Sequence, residues 1–144
     1  MRVGDKIKQL QAIDVNRVVD AAIIDNKGDI LDANRTQMYD RGVIDVQRPE
    51  YRERYAASTI RQKRKTAKFP KTEFITLKWE GDFHDSLKLL IFDDKIVIQS
   101  DDLKWANWLE ERFQNALGLT ETSLKVIRDK VKNSFIKIFR NELH

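Results

Sequence analysis

The sequence predicts an α+β fold: a small antiparallel β-sheet packed with long N-terminal and C-terminal helices, plus an extended basic arm. Three observations carry this expectation. Apolar residues recur at steps of three and four near both ends, strand-forming residues concentrate in the middle, and one internal segment holds the excess positive charge. Helices around a block of strands are an α+β pattern. The 144 residues suit one domain, 1–144: helical over 1–42, an arm or loop over 43–71, strands over 72–100 and helical over 101–144.

Each element has its own signal. Ile7, Leu10, Ile13 and Val18 start an apolar stripe that Val19, Ile23, Ile30 and Met38 continue with irregular spacing. Asp14 is a natural N-cap dividing a short first helix from a longer second one. Gly28 reads either as a break or as an interior glycine costing about 1 kcal/mol relative to alanine. Arg41-Gly42 reads as a helix end. Residues 51–62, YRERYAASTIRQ, suit a short helix, but the rest of 43–71 is too charged and too poor in apolar residues to pack. A loop of that length is uncommon in a compact domain.

Strand signals follow at 72–79, 86–92 and 95–100. Asp93-Asp94 turns the last two into a hairpin, and Glu80 to Asp85 form a turn or a single helical turn. Leu103 to Leu117 then reads as a helix closed by Gly118. Its Trp105 and Trp108 are expected to share one face, as core or subunit-interface packing. Thr120 caps a last helix whose stripe is Leu124, Ile127, Val131, Phe135, Ile138 or Phe139, and Leu143. Its other face, Lys125, Arg128, Lys132 and Lys137, suits water or an acidic partner.

Composition narrows the function. Charged residues make up 35% of the chain against roughly 25% in typical domains, and apolar residues 41%, which implies a thin core completed by neighbouring subunits. The absence of cysteine excludes disulfides and cysteine-ligated metals, and two histidines leave carboxylate sites for Mg²⁺ or Ca²⁺ as the accessible metal chemistry. No apolar run approaches a membrane span, and MRVGDKIKQL lacks the apolar stretch of a signal peptide, so a protein made in the cytoplasm is expected. The five glycines form no phosphate-binding loop. His84 near Ser86 lacks the glycine elbow and spaced acid of a nucleophilic site. Asp93-Asp94 and Asp101-Asp102 are candidates for a metal-dependent nuclease, but turns and helix caps want aspartate at those places anyway. The expectation is no enzyme, no catalytic residue, no metal and no cofactor.

The charge is uneven. The net charge is +4, yet residues 48–71 hold nine basic and two acidic residues (+7), leaving 18 basic against 21 acidic elsewhere (−3). The candidate arm residues are Arg48, Tyr51, Arg52, Arg54, Tyr55, Arg61, Lys63, Arg64, Lys65, Lys68, Phe69 and Lys71. Three readings fit them: a solvated loop, an arm anchored by its aromatic residues on a neighbouring subunit, or a non-sequence-specific nucleic-acid clamp.

One stretch resembles a known pattern. Thr76-Leu77-Lys78-Trp79-Glu80-Gly81-Asp82-Phe83-His84-Asp85-Ser86-Leu87 with its following hairpin is similar to the L-x-x-T-G-x-[LF]-x-x-S turn of the tail-completion and neck proteins of tailed bacteriophages. Leu77, Gly81, Phe83 and Ser86 match, while Glu80 stands where that family usually has threonine. Asn34 to Gly42 resembles the helix end in versions from crAss-like and related phages of Bacteroides-type hosts. Tyr51, Tyr55 and Ala56 fit their Y-x-x-x-Y-A element, and Ala116 to Thr120 their G-L-T junction. The resemblance covers roughly residues 30–125. It implies a non-catalytic virion protein at the head–tail junction or in the tail, forming a homo-oligomeric ring of six or twelve copies. It also implies contacts with portal, adaptor or tail-tube proteins, with non-specific contact to packaged DNA and none to membrane.

Overall fold

The computed structural model describes residues 13–143, and the chain divides into two compact units. Helix α1 is Val15–Asp25, α2 Lys27–Tyr39, α3 Ala57–Thr66, α4 Asp82–Asp85, α5 Glu110–Phe113 and α6 Glu121–Glu142. Strands β1 (Leu87–Ile91) and β2 (Ile96–Ser100) form one two-stranded antiparallel sheet. The α+β class expected from the sequence is what the chain adopts.

The described part of the first unit is residues 13–30 and 123–143. Asp14 caps α1 as expected: its backbone is extended and its carboxylate accepts from the Arg17 N–H at 3.2 Å, satisfying one of the helix's orphan donors. The break after α1 falls at Asn26, not at Gly28, which lies inside α2. Asn26 stops the helix by turning its amide back onto the Ala22 carbonyl (2.8 Å) and across to Ser134 Oγ on α6 (2.9 Å). Val18, Ala22, Ile30 and Ile127 are buried, whereas Leu124, Val131 and Phe135 of the α6 stripe are only half-buried. Lys125, Arg128, Lys132 and Lys137 face water. The short helix expected ahead of Asp14 lies outside the described residues.

The second unit is Leu31–Thr122. Its sheet pairs Leu87 with Ser100, Leu89 with Ile98 and Ile91 with Ile96, the register expected for a hairpin turning at Asp93-Asp94. Its core gathers Leu31, Met38, Val43, Ile44, Ile75, Phe83, Leu87, Ile98, Trp105, Phe113 and Ala116.

Three expectations require correction here. No strand forms over 72–79. The segment is irregular, with Leu77 at φ +57° and single backbone bonds from Ile75 N–H to Glu53 C=O and from Phe69 N–H to Trp79 C=O. Ile75 and Thr76 are both buried, which a strand with one face open to water does not arrange for adjacent residues, because its side chains alternate between faces. Within 43–71, the short helix expected over 51–62 forms as α3 at 57–66 and takes in the run Lys63-Arg64-Lys65 expected in the arm: Lys63 is buried, and the basic last turn complements the helix dipole. The expected 103–117 helix contains a π-helical turn, Trp105–Leu109, before α5, and stops at Phe113. A π turn rotates each residue less than the ~100° of an α-helix, so Trp105 and Trp108 do not share a face. Trp105 is buried, and Trp108 is 59% exposed.

Candidate functional site: an aromatic groove on a polar frame

The second unit holds its irregular segments with buried polar side chains. Lys63 has no exposed surface, and its ammonium donates to Lys71 C=O (2.7 Å), Tyr55 Oη (2.9 Å) and Thr76 Oγ1 (3.0 Å). An ammonium has three protons, so this one is saturated, and it also sits 4.6 Å from the centre of the Tyr55 ring. Among the described residues Lys63 makes no ion pair; oxygen dipoles replace the counter-ion. Tyr55 Oη in turn accepts from Thr76 N–H, and Thr76 Oγ1 from Lys78 N–H. The Thr76 carbonyl accepts from His84 Nε2 at 2.9 Å, and the His84 carbonyl from Arg35 Nε at 2.8 Å. The chain of bonds thus ties α3 to the 71–78 segment, that segment to α4, and α4 back to α2.

Because His84 Nε2 meets a carbonyl it carries the proton, and Nδ1 is left buried without a partner. Burial drives the His84 pKa down to about 4, against the opposing pull of the Thr76 hydrogen bond, with Lys78 and Arg35 adding to the depression. The Ser86 hydroxyl is not hydrogen-bonded to His84. Its hydroxyl bonds Phe83 C=O and Ser100 Oγ, locking the base of the hairpin.

A second set of bonds closes the other end of this unit. Asn34 and Gln37, one helical turn apart on α2, are fully buried. Asn34 donates to Ala116 C=O and accepts from Gly118 N–H; Gln37 donates to Gly118 C=O and accepts from Thr120 N–H, all at 2.9–3.0 Å. Two side-chain amides thereby satisfy the strandless 116–120 backbone. Gly42 ends this helix at φ +65°, where an added Cβ would lie 2.4 Å from the Phe74 ring.

The motif turn lies between these sets of bonds. Leu77 (φ +57°) and Gly81 (φ +99°) both adopt left-handed backbone, Gly81 starts α4, and Phe83 inserts into the core to stack on Trp105 at 5.1 Å. One wall of an open groove of about 800 Å³ results. Its apolar lining is Ile75, Leu77, Trp79, Phe83, Trp108, Leu109 and Phe113. Arg54, Lys104 and Arg112 stand around it, with Glu80 and Asp82 on the motif side. Arg112 is paired with Glu53 at 2.9 Å, whereas Arg54 and Lys104 make no ion pair among the described residues. Lys78 turns its ammonium away, over Phe69 (4.1 Å) and Tyr39 (4.9 Å).

The candidate arm residues therefore have separate surroundings. Arg48 pairs with Asp45 and covers Tyr51, Arg52 bonds the Pro49 carbonyl, and Arg64 bonds Thr72 Oγ1. Lys68 lies over Phe69, and Lys71 over Phe74 and Tyr39. Tyr55 and Lys63 belong to the interior frame, and Tyr51 is exposed. Arg54, Arg61 and Lys65 are exposed with no hydrogen bond or ion pair among the described residues. Asp93-Asp94 occupy the hairpin turn, and Asp102 bonds Lys104 N–H as a turn and cap residue. Among the described residues no three acids or histidines converge on a point, and no helix is long and apolar enough to cross a membrane.

Sequence reasoning missed the buried roles of Asn34, Gln37, Lys63 and Thr76, because hydropathy places polar residues outside. It also missed the groove, whose walls come from three separate segments. No family model, no curated protein and no solved structure matches the chain.

Proposed function

We propose that this chain is a non-catalytic assembly subunit: a ring-forming head–tail connector or tail-completion protein of a tailed bacteriophage, working in the neck or tail. One observation carries the reading. The separate segments that bear the resemblance are the ones bonded to one another: Asn34 and Gln37 to 116–120, Tyr55 to Thr76, and Ser86 to the hairpin. Short motifs far apart in sequence thus behave as one structural unit. Gly81 has a physical reason to stand in that pattern, since its left-handed backbone at the start of α4 favours glycine.

The side chains that would do chemistry are spent on structure. His84 and Ser86 bond backbone carbonyls, and Asp102 caps the turn into the π-helical segment. What this unit offers its surroundings is an aromatic groove with unpaired cations at its edge, which suits binding a partner. Ring closure joins one patch to a different patch on the next copy, so the two contact surfaces need not resemble each other.

Mass photometry of the purified full chain tests this reading. Closed species at a fixed multiple of the 17.0 kDa subunit support it. A protein that stays monomeric and is instead held on DNA or heparin with steep salt dependence overturns it, in favour of a non-sequence-specific nucleic-acid-binding protein using residues 48–71.

A further inference from the structure

We propose that the aromatic groove receives the β1–β2 hairpin tip of a neighbouring copy of this chain, with Phe92 entering the groove and Asp93 and Asp94 meeting Arg54 and Lys104. The inference rests on the assembly reading above and names the contact that would close the ring.

The tip has the properties such an insert needs. Phe92 is 50% exposed and Ile96 38% exposed, so the tip carries apolar surface beside its two acids. The turn is closed by Phe92 N–H on the Lys95 carbonyl at 2.8 Å, so its shape is set before it meets a partner. Lys95 lies 5.9 Å from the Phe92 ring, which puts one cation beside the two acids.

The groove is complementary in kind. Its floor is aromatic and aliphatic, and Trp108 stands 59% exposed within it. Of the charged lining residues, Lys78 turns away and Arg112 is held by Glu53, so the cations free to meet an acidic insert are Arg54 and Lys104, with Glu80 and Asp82 on the motif side. The tip residues Asp93, Asp94 and Lys95 carry −1.

The insert must come from another copy. β1 begins four residues after Phe83 and β2 ends four residues before Lys104, so the base of the hairpin adjoins the groove. Five residues of strand at about 3.3 Å each carry the tip roughly 16 Å away from that base. A paired hairpin cannot fold back on itself over that span. Tip and groove are therefore two different patches on one subunit; joined in one direction they build rings or filaments, and exchanged reciprocally they build a two-fold dimer.

The chain has no cysteine, which makes a clean test possible. Asp94→Cys and Lys104→Cys are made separately in the full chain, mixed, and oxidised. The expected result is a disulfide-linked heterodimer at least ten times more abundant than the product of Asp94→Cys with Lys137→Cys, a control on the exposed face of α6. Single variants alone should give no more than the control. A separate Asp93→Lys/Asp94→Lys variant should lose assembly, and adding Lys104→Glu should restore part of it. If wild-type protein forms closed oligomers while the Asp94–Lys104 pair links no better than the control, the hairpin contact is wrong and the assembly reading stands. If wild-type protein is monomeric and no pair links, both fall. A dominant Asp94–Asp94 product would overturn the head-to-tail contact in favour of a symmetric one.

Discussion

Replacing Lys63 with methionine tests whether buried polar bonds, and not apolar packing alone, hold the irregular half of the second unit. The two side chains are close in length, so little volume changes, but three hydrogen bonds disappear. Tyr55 Oη and Thr76 Oγ1 lie 3.4 Å apart and keep Thr76 N–H and Lys78 N–H as donors, so both remain satisfied. The Lys71 carbonyl is the group left without its donor. A buried acceptor left unpaired costs about 1–3 kcal/mol. Loss of the contact with the Tyr55 ring adds about 0.5–2 kcal/mol. Relief from holding an ammonium out of water offsets part of this, so the expected net loss is about 2 kcal/mol, a sizeable share of the ~5–15 kcal/mol available to a typical domain. Urea unfolding followed by tryptophan fluorescence reads the shift, because Trp79 and Trp105 belong to this unit. A double-mutant cycle with Thr76→Val should show coupling of about 1 kcal/mol or more. Unchanged or raised stability in Lys63→Met, or additive effects in the cycle, would refute the polar-frame argument.

His84 should make stability depend on pH. Its folded pKa of about 4 lies below the unfolded value of about 6.5, so the unfolded chain binds the extra proton between those pH values. The contribution is therefore complete above pH ~6.5 and is lost as pH falls toward ~4, by about 3 kcal/mol in all. Urea midpoints of wild type and His84→Gln should diverge in slope over that window; parallel slopes would contradict it. Gly42→Ala should cost more than Gly81→Ala, since its Cβ would strike the Phe74 ring at 2.4 Å whereas that of Gly81 meets Phe69 at 3.1 Å. Both also carry the left-handed penalty of about 1–2 kcal/mol, and thermal melts giving the reverse order would count against this packing. Gly28→Ala has open space within 4 Å and a helical backbone, so it should stabilise by about 0.5–1 kcal/mol. A loss of stability there would mean that α2 does not begin where described.

The elements with a clear periodicity were legible in the sequence. Asp14 as N-cap, the hairpin turning at Asp93-Asp94 and the long last helix all follow from local rules that the tertiary structure does not oppose. The failures share a cause. Thr72 to Trp79 looks like a strand by composition, but Thr76 is held by Lys63, Tyr55 and His84 from three directions, and those bonds outweigh β-propensity. The same bonds turn Lys63 from a surface charge into a core residue. Equal spacing hid the difference between Trp105 and Trp108, because the pattern assumes α-helical rotation where a π turn occurs. The groove was illegible for a different reason: its walls come from residues 54–59, 75–83 and 104–113, and only the fold brings them together. The charge excess of 48–71 was real, but much of it is answered within the unit, by Asp45, by carbonyl and hydroxyl oxygens and by aromatic rings.

Cryo-electron microscopy of the assemblies formed by the purified full chain tests the central claim most directly. The account predicts a closed ring around a channel, with six or twelve copies joined head to tail. Discrete monomers at every concentration, or a two-fold dimer with its groove empty, would contradict it.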